Sequence, residues 1–255
     1  KPVRPMVMID QMPWHEMDVD GELALQCSDE FCRGLENRLR QTLYLWRHMP
    51  ADRVVEPRID IPKAIRQTGF GVSVREDRSV DDPRNSVVGH YYHDQLPDES
   101  DVERIRMPEV RLDEAATAER EQLAHAIFDG LLEVRMQGRT PTYAPWDVLV
   151  HWRGVEAILY DLVERPAYMH RLAQRLTECH LGVLDRLEQQ GLLGFDQQTI
   201  HCTGAYTDEL PADDFDPARP RAKDLWTFGM SQIFSAVSPS MHEEFELPYL
   251  TAWFE

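Results

Sequence analysis

Apolar residues recur at helical spacing over residues 29–49, 114–133 and 166–190. This spacing aligns apolar side chains on one face of a helix. Ser28 or Asp29 can cap the first helix, and Gly191 ends the third. The stripes that we expect to face the core are Phe31, Leu35, Leu39, Leu43 and Trp46 in the first helix, Leu123, Ile127 and Leu131 in the second, and Met169, Leu172, Leu176, Val183 and Leu187 in the third.

Shorter apolar runs between these helices predict strands. They cover residues 6–9, 54–55, 70–74, 140–144, 199–204 and 225–228. We expect the run at 54–55 to be buried and to end at Glu56. Residues 147–151 fit either a strand or a helix. His151 is therefore a weak site candidate, and a structural role is the simpler interpretation. Cys179 and His180 fall on the third helix, where we expect packing and a surface position respectively.

The last thirty residues hold the most informative pattern. A strand-like start is followed by a polar loop, and Ser238-Pro239 then begins a helix with acidic residues in its first turns. We expect Pro248 to interrupt that helix. Its inner face should be formed by Phe245, Tyr249 and Phe254.

This arrangement of Ser-Pro, Glu243-Glu244-Phe245 and Pro248-Tyr249 resembles the uroporphyrinogen decarboxylase superfamily. A second run agrees, in which Gly154-Val155-Glu156 precedes residues 161–166 and a long helix. The resemblance covers most of the chain and is strongest from residue 141 onward. It implies a (β/α)8 TIM barrel, a helix rather than a strand at 147–151, and one domain over residues 1–255.

Within that domain we expect an irregular excursion at about 69–113 and an acidic loop at about 206–222. The run His90-Tyr91-Tyr92-His93 belongs either to a substrate-contacting hairpin or to a segment packed on the barrel surface. Because superfamily members continue with further strand–helix units, the resemblance also implies that these residues are the N-terminal two-thirds of a longer enzyme, so that the barrel is incomplete in this chain.

The charge and composition of the chain limit the classes of partner and the compartment that we expect. The formal net charge is −18, which argues against nucleic acid or an anionic membrane as the main partner, since both favour basic surfaces. No apolar run is long enough to span a bilayer. Four cysteines in 255 residues do not suggest a disulfide framework, and we expect a cytoplasmic protein.

Candidate site residues follow the predicted strands, because the active sites of barrel enzymes lie at strand carboxyl ends. Asp10, Trp14 and His15 lie in the loop after the first strand and are substrate-binding candidates. The alternative is that Asp10 caps a turn and Trp14 packs over the barrel end. Either Glu56 or Asp60 is the candidate catalytic acid after the next strand, and the alternative for Glu56 is an ion pair with Arg53 or Arg58.

Two further substrate-binding candidates are His201, at the end of a predicted strand, and Gln232, in the polar loop. His201 and Cys202 are residue types that bind zinc. However, neighbouring residues of a strand face opposite ways, so both can bind one ion only if the strand ends between them. The resemblance places the superfamily's zinc-binding segment after the Ser-Pro helix, beyond Glu255. The metal ligands of this chain therefore stay unassigned.

The superfamily has two main chemistries: cofactor-free decarboxylation of porphyrinogens, and corrinoid-dependent methyl transfer that usually uses zinc. The porphyrinogen enzymes carry an arginine-rich loop after the first strand, which binds substrate carboxylates. The matching loop here, residues 10–16, has two acids and no arginine. The resemblance thus favours methyl transfer with zinc and a corrinoid.

The expected partners are a small-molecule substrate and a corrinoid carrier protein, and homodimer formation is left open. The first alternative is decarboxylation of a porphyrinogen or smaller carboxylate, a lyase reaction with Glu56 or Asp60 as the key acid. The second is a non-catalytic binding or activation partner.

Overall fold

The chain has a mixed α/β architecture. The computed structural model describes residues 4, 5, 7, 9, 12–18, 20–80, 88–195, 210, 211 and 213–255. Predicted strands 6–9 and 199–204 fall wholly or partly outside this set. Within the described residues the strands form small sheets and no closed barrel, and no helix has both the length and the apolar character needed to cross a membrane.

The helices are α1 (Trp14–Met17), α2 (Glu30–His48), α3 (Glu114–Phe128), α4 (Pro145–Arg153), α5 (Val155–Glu164), α6 (Pro166–Gln189), α7 (Pro239–Phe245) and α8 (Leu247–Phe254). Short 3₁₀ helices cover Glu99–Arg104, Ala222–Asp224 and Gln232–Ala236. The strands are β1 (Arg58–Pro62), β2 (Ile65–Gln67), β3 (Glu76–Arg78), β4 (His90–Tyr92), β5 (Val110–Leu112) and β6 (Glu133–Gln137).

Three two-stranded sheets pair these strands. β1 pairs with β6 in parallel, whereas β2 with β5 and β3 with β4 are antiparallel. Two isolated parallel bridges extend the pairing beyond β6, from Arg139 to Leu193 and from Tyr143 to Gly229. Successive segments of the chain therefore pair in parallel, and helices connect them, which is the pairing of an α/β protein.

The parallel β1–β6 pair carries helices on one face. Ile59 and Ile61 are buried, and they pack with Leu35 of α2 and with Ala124 and Phe128 of α3. Alternate residues of a strand face opposite ways, so Arg58 and Asp60 lie on the other face. Burial of these apolar side chains, at about 25 cal/mol per Å², is the main force that holds the helices on the sheet.

The largest core surrounds α6. Met169, Leu172, Leu176, Val183 and Leu187 are all buried, as the helical spacing predicts. Trp146 and Leu149 of α4, Ile158 of α5 and Phe245 of α7 pack into the cluster that includes the first three of these residues.

The predicted boundaries of α2 are confirmed, but part of its stripe is wrong. Asp29 caps the helix, since its Oδ1 accepts the N–H of Cys32 at 2.9 Å, and the helix ends at His48. Leu35 is buried, but Leu43 and Trp46 are exposed, and Leu45 is buried instead. The core contact of α2 lies in its N-terminal half, next to the sheet.

Two of the predicted strands in the N-terminal third of the chain are absent from the described structure. Val54 and Val55 are exposed and non-strand, and the strand begins four residues after Val54, at Arg58. Residues 70–74 connect β2 and β3 without joining either strand. In both places a short apolar run was mistaken for a strand because helix, strand and loop share such runs.

The second predicted helix is shorter than expected. α3 ends at Phe128, and Gly130, with φ at 78°, turns the chain towards β6, which the sequence did not predict. Ile127 and Leu131 are exposed, because Ala124 and Phe128 form the buried side of α3 instead. Among the described residues, 140–144 pair only through the isolated bridge at Tyr143.

The helix at 147–151 that the resemblance implied is present as α4. The prediction for the last thirty residues is largely confirmed. Ser238 caps α7, its Oγ accepting the N–H of Met241 at 3.3 Å, and the helix breaks at Glu246 before α8 begins. Residues 225–228 form no strand, and Phe254 is exposed whereas Trp253 is buried.

Candidate functional site

The face of the β1–β6 pair opposite the apolar core with α2 and α3 is charged. Arg58 and Asp60 of β1 and Arg135 of β6 lie on it, while Val134 and Met136 pack with the helix-covered core. Asp60 and Arg135 are register partners, so they stand opposite each other across the two strands. In an α/β barrel the face without helices is the one that lines the interior.

Ion pairs link this face into one cluster. Arg135 Nε donates to Asp60 Oδ1 at 2.6 Å, and Arg58 Nε lies 3.7 Å from Asp60 Oδ2. Arg58 Nη2 also lies 2.8 Å from Glu56 Oε2. We call Glu56, Arg58, Asp60 and Arg135 the charged strand face. Each side chain on it is partly accessible to solvent.

The structure thus brings the two candidate acids together through Arg58. It also contains the ion pair that was the alternative interpretation for Glu56. The expected position of Glu56 at the carboxyl end of a strand is wrong, because Glu56 precedes the amino end of β1, whereas Asp60 lies within the strand. Arg135 was not singled out from the sequence, because β6 was not predicted and its register with β1 could not be known.

Close backbone packing follows β6. Gln137 Nε2 donates to the carbonyl of Phe195 at 3.1 Å, and Thr140 Oγ1 donates to that of Gly194 at 3.0 Å. A Cβ on Gly138 would meet the backbone of Leu192 and Leu193. The carboxyl end of β6 is therefore held against residues 192–195, which lead into residues outside the described set.

Trp14 and His15 lie on the short helix α1. The Trp14 ring meets Tyr44 of α2 edge-on, with centroids 6.1 Å apart. His15 Nε2 is 3.4 Å from the carboxylate of Glu16. These contacts fit the packing interpretation of Trp14. Asp10 and His201 lie outside the described residues, so their predicted roles stay predictions.

Gln232 begins the 3₁₀ helix after the polar loop. Its Nε2 lies 3.4 Å from Met230 Sδ, and its carbonyl accepts the Ser235 hydroxyl at 2.8 Å. Its described contacts are therefore local ones, within residues 230–235. Substrate binding by Gln232 stays a prediction.

A second polar cluster, which the sequence did not predict, lies next to Gln232. Glu246 is buried at the break between α7 and α8, and it meets Ser231 and His242. His242 and Glu246 are four residues apart, a spacing that places two side chains on one helix face. That spacing was the available signal, but it does not distinguish a buried pair from a surface pair.

The histidines at 90 and 93 pair with carboxylates across the β3–β4 hairpin. His90 Nδ1 lies 2.9 Å from Glu76 Oε2, and His93 Nε2 lies 2.8 Å from Asp77 Oδ2. Adjacent residues 94–96 are tied to the main core: Gln95 N–H donates to the carbonyl of Trp152 at 2.7 Å, and Leu96 is fully buried. The excursion is thus anchored at this end.

Cys179 and His180 both face packed surroundings. Burial raises the pKa of the Cys179 thiol, which makes it a poor nucleophile at neutral pH. Burial also lowers the pKa of His180, whose ring stacks on Phe70 at 5.0 Å and whose Nδ1 bonds the Leu176 carbonyl. The surface position predicted for His180 is wrong, because aromatic rings surround it.

His151 also packs against an aromatic ring, that of Tyr92, with centroids 4.9 Å apart. This contact agrees with the structural interpretation of His151.

Comparison of the chain with models of protein families, with curated proteins and with solved structures found no match. The resemblance to the uroporphyrinogen decarboxylase superfamily therefore remains an expectation that rests on the motifs of the sequence.

Proposed function

We propose that this chain is a barrel-type enzyme of the uroporphyrinogen decarboxylase superfamily and that it transfers a methyl group between a small-molecule substrate and a corrinoid. The observation that supports the proposal best is the parallel β1–β6 pair, which has helices on one face and charged side chains on the other. A wall of a (β/α)8 barrel has helices on its outer face and side chains of the interior on the other.

The charges favour methyl transfer over porphyrinogen decarboxylation. A porphyrinogen carries several carboxylates, and binding them takes arginines whose charge is not already neutralised. On the charged strand face, Arg58 is paired with Glu56 and Arg135 with Asp60. The net charge of −18 also disfavours a substrate that carries several carboxylates. A substrate with little negative charge fits this surface better than a porphyrinogen.

The resemblance implies a zinc site. In the part of the chain that the structure describes, no group of three or more His, Cys, Asp or Glu is arranged to hold a metal ion. The described residues therefore do not fit a zinc site on their own. His201 and Cys202 lie outside them. The described residues contribute the charged strand face and the packing that holds it.

A second candidate function is cofactor-free decarboxylation of a small carboxylate. Asp60 favours it, because this acid lies on the charged strand face with an arginine on each side. Arginine binds carboxylate through a planar pair of donors. A substrate carboxylate could replace Asp60 as the partner of Arg135 and leave Asp60 to act as the acid.

The test takes the purified protein through two assays and a metal analysis. Methylcobalamin and a thiol are followed for loss of the methylcorrinoid absorbance and for the methylated thiol. Uroporphyrinogen is followed for coproporphyrinogen, and bound metal is measured by mass spectrometry. We expect stoichiometric zinc and methyl transfer. Coproporphyrinogen formation would replace the proposal with decarboxylation. Lack of zinc, of corrinoid affinity and of turnover together would favour a non-catalytic binding partner.

A further inference from the structure

A cleft lies between the β3–β4 hairpin and the junction of α4 with α5. Its volume is about 560 Å³, which is within the usual range for small-molecule sites. Tyr92 and Asp94 line it from the side of the hairpin, and Arg153, Glu156 and Tyr160 line it from the side of the helices. The cleft shares no residue with the charged strand face.

Gly154 allows the two sides of the cleft to meet. It is the residue between α4 and α5, and its φ of 76° lies in the left-handed region that glycine adopts without strain. A Cβ at this position would lie 2.9 Å from the carbonyl oxygen of Tyr92. The backbone of the hairpin therefore packs directly on the helix junction, and both residues of this contact line the cleft.

The cleft has an aromatic ring on each of its two sides. The Tyr92 ring is held by its neighbours: it stacks on His90, with centroids 5.6 Å apart, and packs on His151 at 4.9 Å. Tyr160 on α5 is 64% exposed, so its ring can still move onto a ligand. One ring is therefore fixed by packing and the other is adjustable.

The charges that line the cleft favour a cation. Arg153 is already paired, since its Nη2 lies 2.9 Å from Asp94 Oδ2 and 2.7 Å from Asp161 Oδ2. Glu156 has no hydrogen-bond or ion-pair partner among the described residues. The lining thus holds two carboxylates, those of Asp94 and Glu156, against one guanidinium. Glu156 lies in the first turn of α5, where it also offsets the partial positive charge of the helix end.

We propose that this cleft binds a small quaternary or tertiary ammonium ion, whose charge is balanced by Glu156 and whose alkyl groups contact the rings of Tyr92 and Tyr160. The quadrupole of an aromatic ring attracts a cation, and sets of aromatic rings recognise quaternary ammonium groups. Alkyl groups around the nitrogen also suit the apolar part of the lining, which includes Val150 and Val155. The net charge of −18 raises the local concentration of cations. This binding does not depend on the proposed function.

Choline and 3,3-dimethylbutan-1-ol form a matched pair of probes. The two molecules have nearly the same shape, but a neutral carbon in the alcohol replaces the charged nitrogen of choline. Each is titrated into the purified protein, and NMR of the ligand methyl protons gives the affinity. We expect choline to bind at least about tenfold more tightly than the alcohol, with its methyl resonance shifted upfield by the rings. Equal affinities, or no binding of choline, would overturn the proposal.

Two substitutions on α5 separate the cleft from the acidic surface as a whole. Glu156→Gln should lower the affinity for choline by about fivefold and leave that for the alcohol unchanged. Glu164→Gln removes the same charge from an exposed position on the same helix that does not line the cleft. We expect it to change the affinity for choline by less than about twofold. Equal losses in the two variants would mean that choline responds to the overall charge, and would overturn the site.

Substitutions of Tyr160 test the aromatic contribution. Tyr160→Leu keeps an apolar side chain but removes the ring, so the affinity for choline should fall by about fivefold while that for the alcohol changes by less than about twofold. Tyr160→Phe keeps the ring and should retain the affinity for choline within about twofold. The exposure of Tyr160 makes loss of the fold an unexpected result, which circular dichroism checks. An unchanged affinity for choline in folded Tyr160→Leu would contradict the proposal.

Discussion

Arg135 Nε donates to Asp60 Oδ1 at 2.6 Å across the parallel strands β1 and β6, and the two residues are exact register partners. The pair lies on the strand face opposite the one from which Ile59 and Ile61 pack on the helices. Sheet pairing thus brings together an acidic and a basic side chain that are 75 positions apart in the chain. A functional surface that depends on register is built by the fold rather than by a local motif.

The Asp60–Arg135 pair should contribute little to stability. Both side chains are about one-third exposed, so water screens their attraction. A double-mutant cycle with Asp60→Asn and Arg135→Gln, followed by urea unfolding, should give a coupling free energy of about 0.5–1 kcal/mol. A coupling several times larger would mean that the pair serves mainly to hold β1 and β6 together.

Activity should separate the two candidate acids from structural residues. We expect Glu56→Gln to abolish turnover with the melting temperature almost unchanged, because Glu56 precedes the strand and is partly exposed. Asp60→Asn is the matched variant within the strand. Loss of activity in only one of them identifies the acid that contacts the substrate. Unfolding of Glu56→Gln would make that residue structural.

Two glycines offer a matched test of the packing after β6. A Cβ on Gly138 would meet the backbone of Leu192 and Leu193, which cannot move as a side chain can. Gly138→Ala should therefore lower the free energy of unfolding by about 1–3 kcal/mol. Gly34 lies within α2 and has nothing within 4 Å of its Cβ position. Gly34→Ala should raise stability by about 0.5–1 kcal/mol, since alanine favours helix.

Urea unfolding of both glycine variants checks this expectation. Equal effects of the two substitutions would show that residues 192–195 do not pack on Gly138. Loss of stability in Gly34→Ala would instead place an unrecognised contact on the exposed side of α2.

Local signals predicted the elements that local chemistry determines. The Asp29 cap of α2, the start of α7 at Pro239 and the break before Pro248 are all present, because each depends on hydrogen bonds within a few residues. The buried stripe of α6 is present because apolar residues recur at helical spacing over many turns, so the prediction does not depend on any single contact.

What the sequence missed depends on distant partners. β6 follows a turn at Gly130 and is recognisable only once β1 is beside it. Its residue Arg135 therefore entered the candidate site through the structure alone. The burial of Glu246 depends on Ser231 and on the core beneath α7, so the spacing of His242 and Glu246 did not distinguish a buried pair from a surface pair.

A buried ion network under the excursion makes the stability of the fold depend on pH. The Arg153 side chain is 1% exposed, and its Nη2 lies 2.7 Å from Asp161 Oδ2 and 2.9 Å from Asp94 Oδ2. Arg165 donates to Asp161 as well. Burial alone would raise the pKa of Asp161, but hydrogen bonds from Arg165 and Arg153 outweigh it, so the pKa of Asp161 is lowered.

We therefore expect Asp161→Asn to destabilise the protein at neutral pH by about 3 kcal/mol, because it leaves the buried Arg153 charge less well paired. A carboxyl whose pKa is lower in the folded state stabilises folding above its unfolded pKa, near 3.9, and loses that contribution as the pH falls through its folded pKa. Thermal melts from pH of about 7 to about 3 should show the difference between the two proteins shrinking only below pH of about 4. A difference that stays constant over this range would mean that the Asp161 charge is not what stabilises the network.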